Sequence, residues 1–243
     1  VSLYPIDLWV GLASTSAPGA LEACCESRLP NKEREDAKRF RRATSRNQHI
    51  VGRGMARTLL ASDNVLPQEI EFTLNPHGKP DVLAPLVAKR PFNIAHTEGM
   101  VVFASCDATS IGIDVERLAR TTDIAVAKRF FAAPEVEFVM SHEAEDDKRL
   151  AFLRVWTLKE AFIKAVGKGL AIPLADFSFN DIDSCAPTIR LHRGELGDAD
   201  AWRFACISPA DGFVASVAVN EVDADGIEVR VRDFLSLVTQ AEP

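Results

Sequence analysis

Two short stretches of the chain set ionisable side chains at spacings that could do phosphate chemistry. In Ile111-Gly112-Ile113-Asp114-Val115-Glu116 the residues alternate as in a strand. Ile111, Ile113 and Val115 then share one face, and Gly112, Asp114 and Glu116 the other. Two carboxylates on one strand face, beside a glycine, make a compact site of hard oxygen ligands. That suits Mg²⁺, which takes a few carboxylates and keeps positions for water and phosphate. Taken alone, the strand reads more readily as a solvated face with two idle charges. In the second stretch, Glu160 and Lys164 are i,i+4 neighbours on a helix, as are Trp156 and Glu160. The surrounding residues (Leu150, Phe152, Leu153, Val155, Leu158, Phe162, Ile163, Val166) make that helix apolar over most of its circumference. Such a helix is largely buried, so its few charges should line a cleft. There Glu160 could complete the metal site or act as a base, and Lys164 could meet phosphate oxygens. Lys168, between Gly167 and Gly169, sits on a tight turn that could approach an anion.

Other signals are weaker when read singly. Gly78-Lys79-Pro80 offers a fixed turn and one cation, and His96, at a strand end, could stack on or hydrogen-bond a nucleotide. The net charge is −7, yet between Arg28 and Arg57 ten basic residues face only Glu33, Glu35 and Asp36. An acidic chain with one basic segment has a local anion site rather than a general affinity for nucleic acid.

The elements that must position these residues follow from periodicity and punctuation. Ile6 to Val10 alternates as a strand, and Asn31 is a fair N-cap for a helix running to about Phe40. A second helix fits Ser45 to Ser62. After the loop Asn75 to Pro80, strands at Phe92–Ala95 and Met100–Ser105 flank the turn Thr97-Glu98-Gly99. In the second half the strand at Ile111–Glu116 precedes helices over Ile124–Phe131, Pro134–Ser141 and, longest, Asp147–Val166, which Gly167 ends. Phe177–Phe179, Thr188–His192, Trp202–Ile207 and Phe213–Val219 then alternate as antiparallel strands, and the stretch from Asp223 reads as a strand and short helix of undefined docking. The expected fold is α+β, a pseudo-twofold pair of similar subdomains, 1–110 and 111–243.

At 243 residues, 47% apolar and 26% charged, the composition is that of a soluble globular protein. No apolar run approaches the ~20 residues that span a bilayer, and the basic start of a signal peptide is missing. Five cysteines without a CxxC pair suggest neither disulfides nor zinc, and a reduced, cytoplasmic protein is expected.

Together, Gly112-Ile113-Asp114-Val115-Glu116 and Trp156-Thr157-Leu158-Lys159-Glu160-Ala161-Phe162-Ile163-Lys164, followed by Gly167-Lys168-Gly169-Leu170, resemble the paired signature of the 4′-phosphopantetheinyl transferases. The longer, two-subdomain Sfp-type branch fits best. Similarity extends through His77-Gly78-Lys79-Pro80, Phe92-Asn93-Ile94-Ala95-His96 and Ala127-Lys128-Arg129-Phe130-Phe131. The resemblance implies that a carrier-protein serine attacks the β-phosphate of coenzyme A, releasing adenosine 3′,5′-bisphosphate. It implies Mg²⁺ (or Mn²⁺) on Asp114, Glu116 and Glu160, with Asp114, Glu160 and Lys164 catalytic. Gly78, Lys79, Pro80, His96, Arg46 and Lys159 would then face coenzyme A. Acyl, peptidyl or aryl carrier domains are the implied partners, docking over Arg117 to Glu145, and a monomer is expected, with no nucleic acid or membrane partner. Family members often carry serine where this chain has Ala95. The basic helix does not align with the family's lysines, so Lys32, Arg34, Lys38, Arg39 and Arg46 all stay open as 3′-phosphate ligands. The same ingredients would also serve a Mg²⁺-dependent phosphohydrolase or nuclease, or a non-catalytic coenzyme A-binding module.

Overall fold

The computed structural model describes residues 2–221 and 223–240. The first half runs β1 (Leu3–Gly11), α1 (Ala20–Ser27), α2 (Asn31–Lys38), α3 (Ala43–Leu60), a hairpin of β2 (Glu71–Leu74) and β3 (Pro80–Ala84), then β4 (Phe92–Thr97) and β5 (Met100–Ser105). The second half repeats that order with β6 (Ser110–Arg117), α4 (Val126–Phe130), α5 (Ala133–Met140), α6 (Glu145–Val166), the hairpin β7 (Phe177–Asn180) and β8 (Thr188–Leu191), then β9 (Trp202–Ile207) and β10 (Phe213–Asn220). Sheet order repeats too: β1-β5-β4 in one sheet and β6-β10-β9 in the other. The fold is α+β.

The tail departs from the expected division at residue 110. β11 (Gly226–Asp233) returns to the first sheet and pairs in parallel with β1, Leu3 opposite Gly226. The helix α7 (Phe234–Gln240) follows, burying Phe234 and Val238 in the first half's core. Sequence alternation reveals a strand but not its partner, so the docking could not be read beforehand. α1 and the β2–β3 hairpin also escape the periodicity argument, because segments this short give little pattern.

Three apolar layers hold the fold. Ile6, Leu8, Val102, Ile113, Val115 and Val217 meet between the two sheets. α3 covers the outer face of the first sheet with Val51 and Met55 against Val101 and Phe103. On the second, α6 buries Leu158, Phe162 and Ile163 with Phe204 and Val214. β6 is therefore buried on both faces, and the solvated-face alternative fails.

The Gly112 face of β6 lies under α6. A Cβ at Gly112 would stand 2.0 Å from the Ala161 carbonyl oxygen and 2.4 Å from the Ala165 nitrogen. Those are backbone atoms of a packed helix and cannot step aside. Gly112→Ala should therefore cost upwards of about 3 kcal/mol, lowering Tm by roughly 10 °C. A melting curve within a degree or two of wild type contradicts this packing.

Candidate active site

The close approach at Gly112 sets the rest of β6 against α6. Asp114 and Glu116 are 7% and 8% exposed. Lys164, on the last turn of α6, donates to Asp114 Oδ1 at 2.6 Å. Glu160 lies one turn earlier on the same helix face and is half-buried. Burial raises the Glu160 carboxyl above its usual range, and the charges of Asp114 and Glu116 raise it further, against the pull of Lys164. Glu116 is raised by burial and by Asp114. Asp114 is raised by burial, with Lys164 opposing. The charges of Asp114 and Glu116 thus act on Glu160 across a partly dry site.

β4 of the first half forms the opposite wall. Thr97 Oγ1 donates to Glu116 Oε2 at 3.2 Å, and Asn93 Oδ1 accepts from the Ile113 amide at 2.8 Å. His96 lies between them in sequence, close enough to Lys164 and Asp114 to feel both charges. Partial desolvation first, then Lys164, hold its imidazole below the usual pKa. Gln48 of α3 donates to the Thr97 carbonyl at 2.5 Å.

A cleft of about 210 Å³ opens between the halves, lined by His77, Gly78, Lys79, Pro80, Lys164 and Gly167 among others. Gly167 ends α6 in the left-handed region at φ 76°, as expected for a C-terminal glycine. Its carbonyl accepts from Asn75 Nδ2 at 2.8 Å. Lys79 Nζ donates to the Ile111 carbonyl at 2.9 Å and reaches the Ala165 carbonyl at 3.4 Å. Burial lowers its pKa to about 8. Lys79 therefore ties both halves together at the cleft instead of projecting freely as a phosphate ligand.

A sequence profile of the 4′-phosphopantetheinyl transferase superfamily matches residues 110–218, from β6 to β10. The transferase HetI of Nostoc sp. PCC 7120 is 34% identical over 196 residues, 79% of this chain and 78% of its own length. A 4′-phosphopantetheinyl transferase of Bacillus subtilis is 34% identical over 207 residues, 84% of this chain and 88% of its own. Sfp of Bacillus subtilis strain 168 is 32% identical over 148 residues, 60% and 64% respectively. The chain belongs to the 4′-phosphopantetheinyl transferases, in their Sfp-type branch. It is an enzyme of that class.

Several residues of this transferase do not stand where the sequence suggested. Lys159, expected at coenzyme A, is 0% exposed. Its amine pairs with Glu135 at 2.8 Å and donates to the Leu174 and Phe177 carbonyls at 2.7 and 2.8 Å. It also lies over the Phe177 ring, 4.3 Å from the centroid. Glu135 accepts in turn from the Ala132 and Phe179 amides. Lys159 thus anchors α6 to α5 and β7 inside the core and has no route to a ligand. Adjacent helix residues point about 100° apart, so Lys159 faces inward where Glu160 faces the cleft.

The basic segment is thinner in free charge than its count suggests. Arg57, 4% exposed, and Arg53 both pair with Glu33 and lie over Phe72. Arg34 donates to the Glu26 and Ser27 carbonyls, Lys38 pairs with Glu35, and Arg39 with Asp36. Among the described residues, Lys32, Arg41, Arg42 and Arg46 have no carboxylate partner within ion-pair distance. Arg46 is half-buried near the start of α3, and no contact places it at the cleft.

The expected three-carboxylate metal set is not a ready-made cage. Among the described residues, no group of three or more His, Cys, Asp or Glu side chains stands close enough to hold a metal ion. Cations occupy part of the site instead: Lys164 on Asp114 and Arg120 on Glu116. Among the described residues, however, Asp114 Oδ2 is buried without any hydrogen-bond partner. A buried lone carboxylate oxygen is costly unless something satisfies it. Mg²⁺ binds through one or two carboxylates plus water and phosphate, so Asp114 and Glu116 fit it without a cage. Thr97, Arg120 and Glu135 carry no motif of their own and became visible only through their partners.

The raised Glu160 carboxyl has a measurable consequence. The folded protein holds that proton to higher pH than the unfolded chain, so stability falls as pH rises from the unfolded value, about 4.3, through the folded one. Above both values the penalty is complete. In divalent-free buffer at pH 7.5, Glu160→Gln should melt above wild type, and the advantage should shrink on acidification. A variant that melts lower at pH 7.5, or gains on acidification, contradicts the crowded-carboxylate site.

Proposed function

We propose that the enzyme moves the 4′-phosphopantetheine arm of coenzyme A onto a serine hydroxyl of an apo carrier protein, in a Mg²⁺-dependent reaction. The supporting observation is the ion pair of Lys164, which lines the cleft, with Asp114, which shares β6 with Glu116, while Glu160 stands one helical turn before Lys164. The curated relatives bear the name of this transferase activity.

Asp114 and Glu116 are the residues that would hold Mg²⁺, Asp114 through its unpartnered Oδ2. Bound there, the ion would neutralise charge on the pyrophosphate. Glu160 is the general base: its raised carboxyl is better matched to a serine proton than an ordinary glutamate. The serine oxygen attacks the β-phosphorus, the bond to the bridging pyrophosphate oxygen breaks, and adenosine 3′,5′-bisphosphate departs. Lys164, which lines the cleft, faces the charge that develops on the departing phosphate. His96 and the Gly78–Pro80 turn flank the adenosine bisphosphate end. Carrier domains dock over Arg117 to Glu145, where Lys128, Arg129 and Phe130 are exposed and could meet an acidic, partly apolar surface.

Mixed with coenzyme A, Mg²⁺ and an apo carrier, the enzyme should raise the carrier's mass by about 340 Da, the mass of the phosphopantetheine arm. Asp114→Ala and Glu160→Ala should each lower the rate by at least about 100-fold with folding intact. No mass gain on any of several carriers, or rapid hydrolysis of coenzyme A with none present, contradicts the proposal and favours a phosphohydrolase.

A further inference from the structure

Asp114 and Glu116 are not equivalent as cation ligands. Asp114 commits Oδ1 to Lys164 and keeps Oδ2 without a partner. Glu116 has both oxygens engaged: Thr97 Oγ1 donates to Oε2, and the Arg120 guanidinium donates to Oε1. Thr97 is neutral, and each carboxylate oxygen has room for a hydroxyl and a second partner. Arg120 is a full positive charge seated on the ligand oxygen, so it repels any divalent cation approaching from that side.

The pair is also asymmetric in its surroundings. The Glu116 side chain is 10% exposed, whereas that of Arg120 is 49% exposed. Arg120 lies beyond the end of β6, in the turn before α4, so its side chain can leave for water without disturbing a strand or helix. An ion pair half in solvent loses little on opening. Lys164 differs in being only 29% exposed and on a packed helix, and Asp114 has a second oxygen to offer.

We propose that Arg120 is a displaceable counter-ion of Glu116, neutralising that carboxylate before a divalent cation arrives and competing with the cation for Oε1. The inference rests on the reading of Asp114 and Glu116 as the metal ligands. Arg120 is then neither a catalytic group nor a substrate ligand. It sets how tightly the empty enzyme holds metal, and keeps two buried carboxylates from facing each other uncompensated.

The test is Mn²⁺ binding to the full chain without coenzyme A, followed through the electron paramagnetic resonance signal of the free ion. Arg120→Gln should bind Mn²⁺ more tightly by up to about fivefold, the scale of a half-exposed pair. Arg120→Lys, which keeps the charge, should stay near wild type, and Arg120→Gln added to Glu116→Gln should change nothing further. If a folded Arg120→Gln binds Mn²⁺ no more tightly than wild type, the counter-ion role is overturned and the metal site stands. If neither wild type nor either Arg120 variant binds Mn²⁺, the metal reading falls and takes this inference with it.

Discussion

The contact of β6 with α6 at Gly112 is the constraint on which the site depends. A glycine there lets two backbones meet where any side chain would hold them apart. The strand's next inward residue, Asp114, then meets Lys164 from the facing helix, and Glu160 follows one turn behind. Backbone packing thus sets Asp114 and Glu160 within reach of each other's charge. Such a site is unstable by design of its charges and must be held from outside. The buried Lys159–Glu135 pair, with every polar atom directed at a partner, does part of that holding. So do Phe177 and Trp202, whose rings pack on Phe162 in the C-terminal part of α6.

The second requirement is that the two halves stay registered, because the cleft has one wall from each. Polar bridges from the first half end on backbone groups of the second: Lys79 on the Ile111 carbonyl, Asn75 on the Gly167 carbonyl, Asn93 on the Ile113 amide. Backbone targets leave less freedom than side-chain pairs, since a carbonyl cannot rotate to follow its donor. At the rim, Arg117 and Glu98 add an ion pair between the halves. β11 closes the arrangement by carrying the chain from the second sheet back to the first strand.

How much of this was legible in the sequence depended on the distance over which each property is decided. The strand at 111–116 and the helix ending at Gly167 are local patterns, and they appeared with only small shifts at their ends. Asp114, Glu116, Glu160 and Lys164 could be named because strand and helix periods put them on defined faces. Lys159 could not be placed the same way, because only its partner Glu135, on another helix, decides that a lysine can be buried there. The same holds for Arg53 and Arg57, which add to the charge of the basic segment but are paired with Glu33 in the fold. Charge counting overestimates a binding site whenever folding supplies internal counter-ions.

The central claim is that Asp114 and Glu160, on different elements, act as one unit. A double-mutant cycle on carrier phosphopantetheinylation tests it most directly, using Asp114→Asn, Glu160→Gln and the pair. Groups that serve a single assembly are strongly non-additive, so the double variant should be within about threefold of the slower single one. A double variant slowed by the full product of the two single losses would show two independent sites and contradict the account.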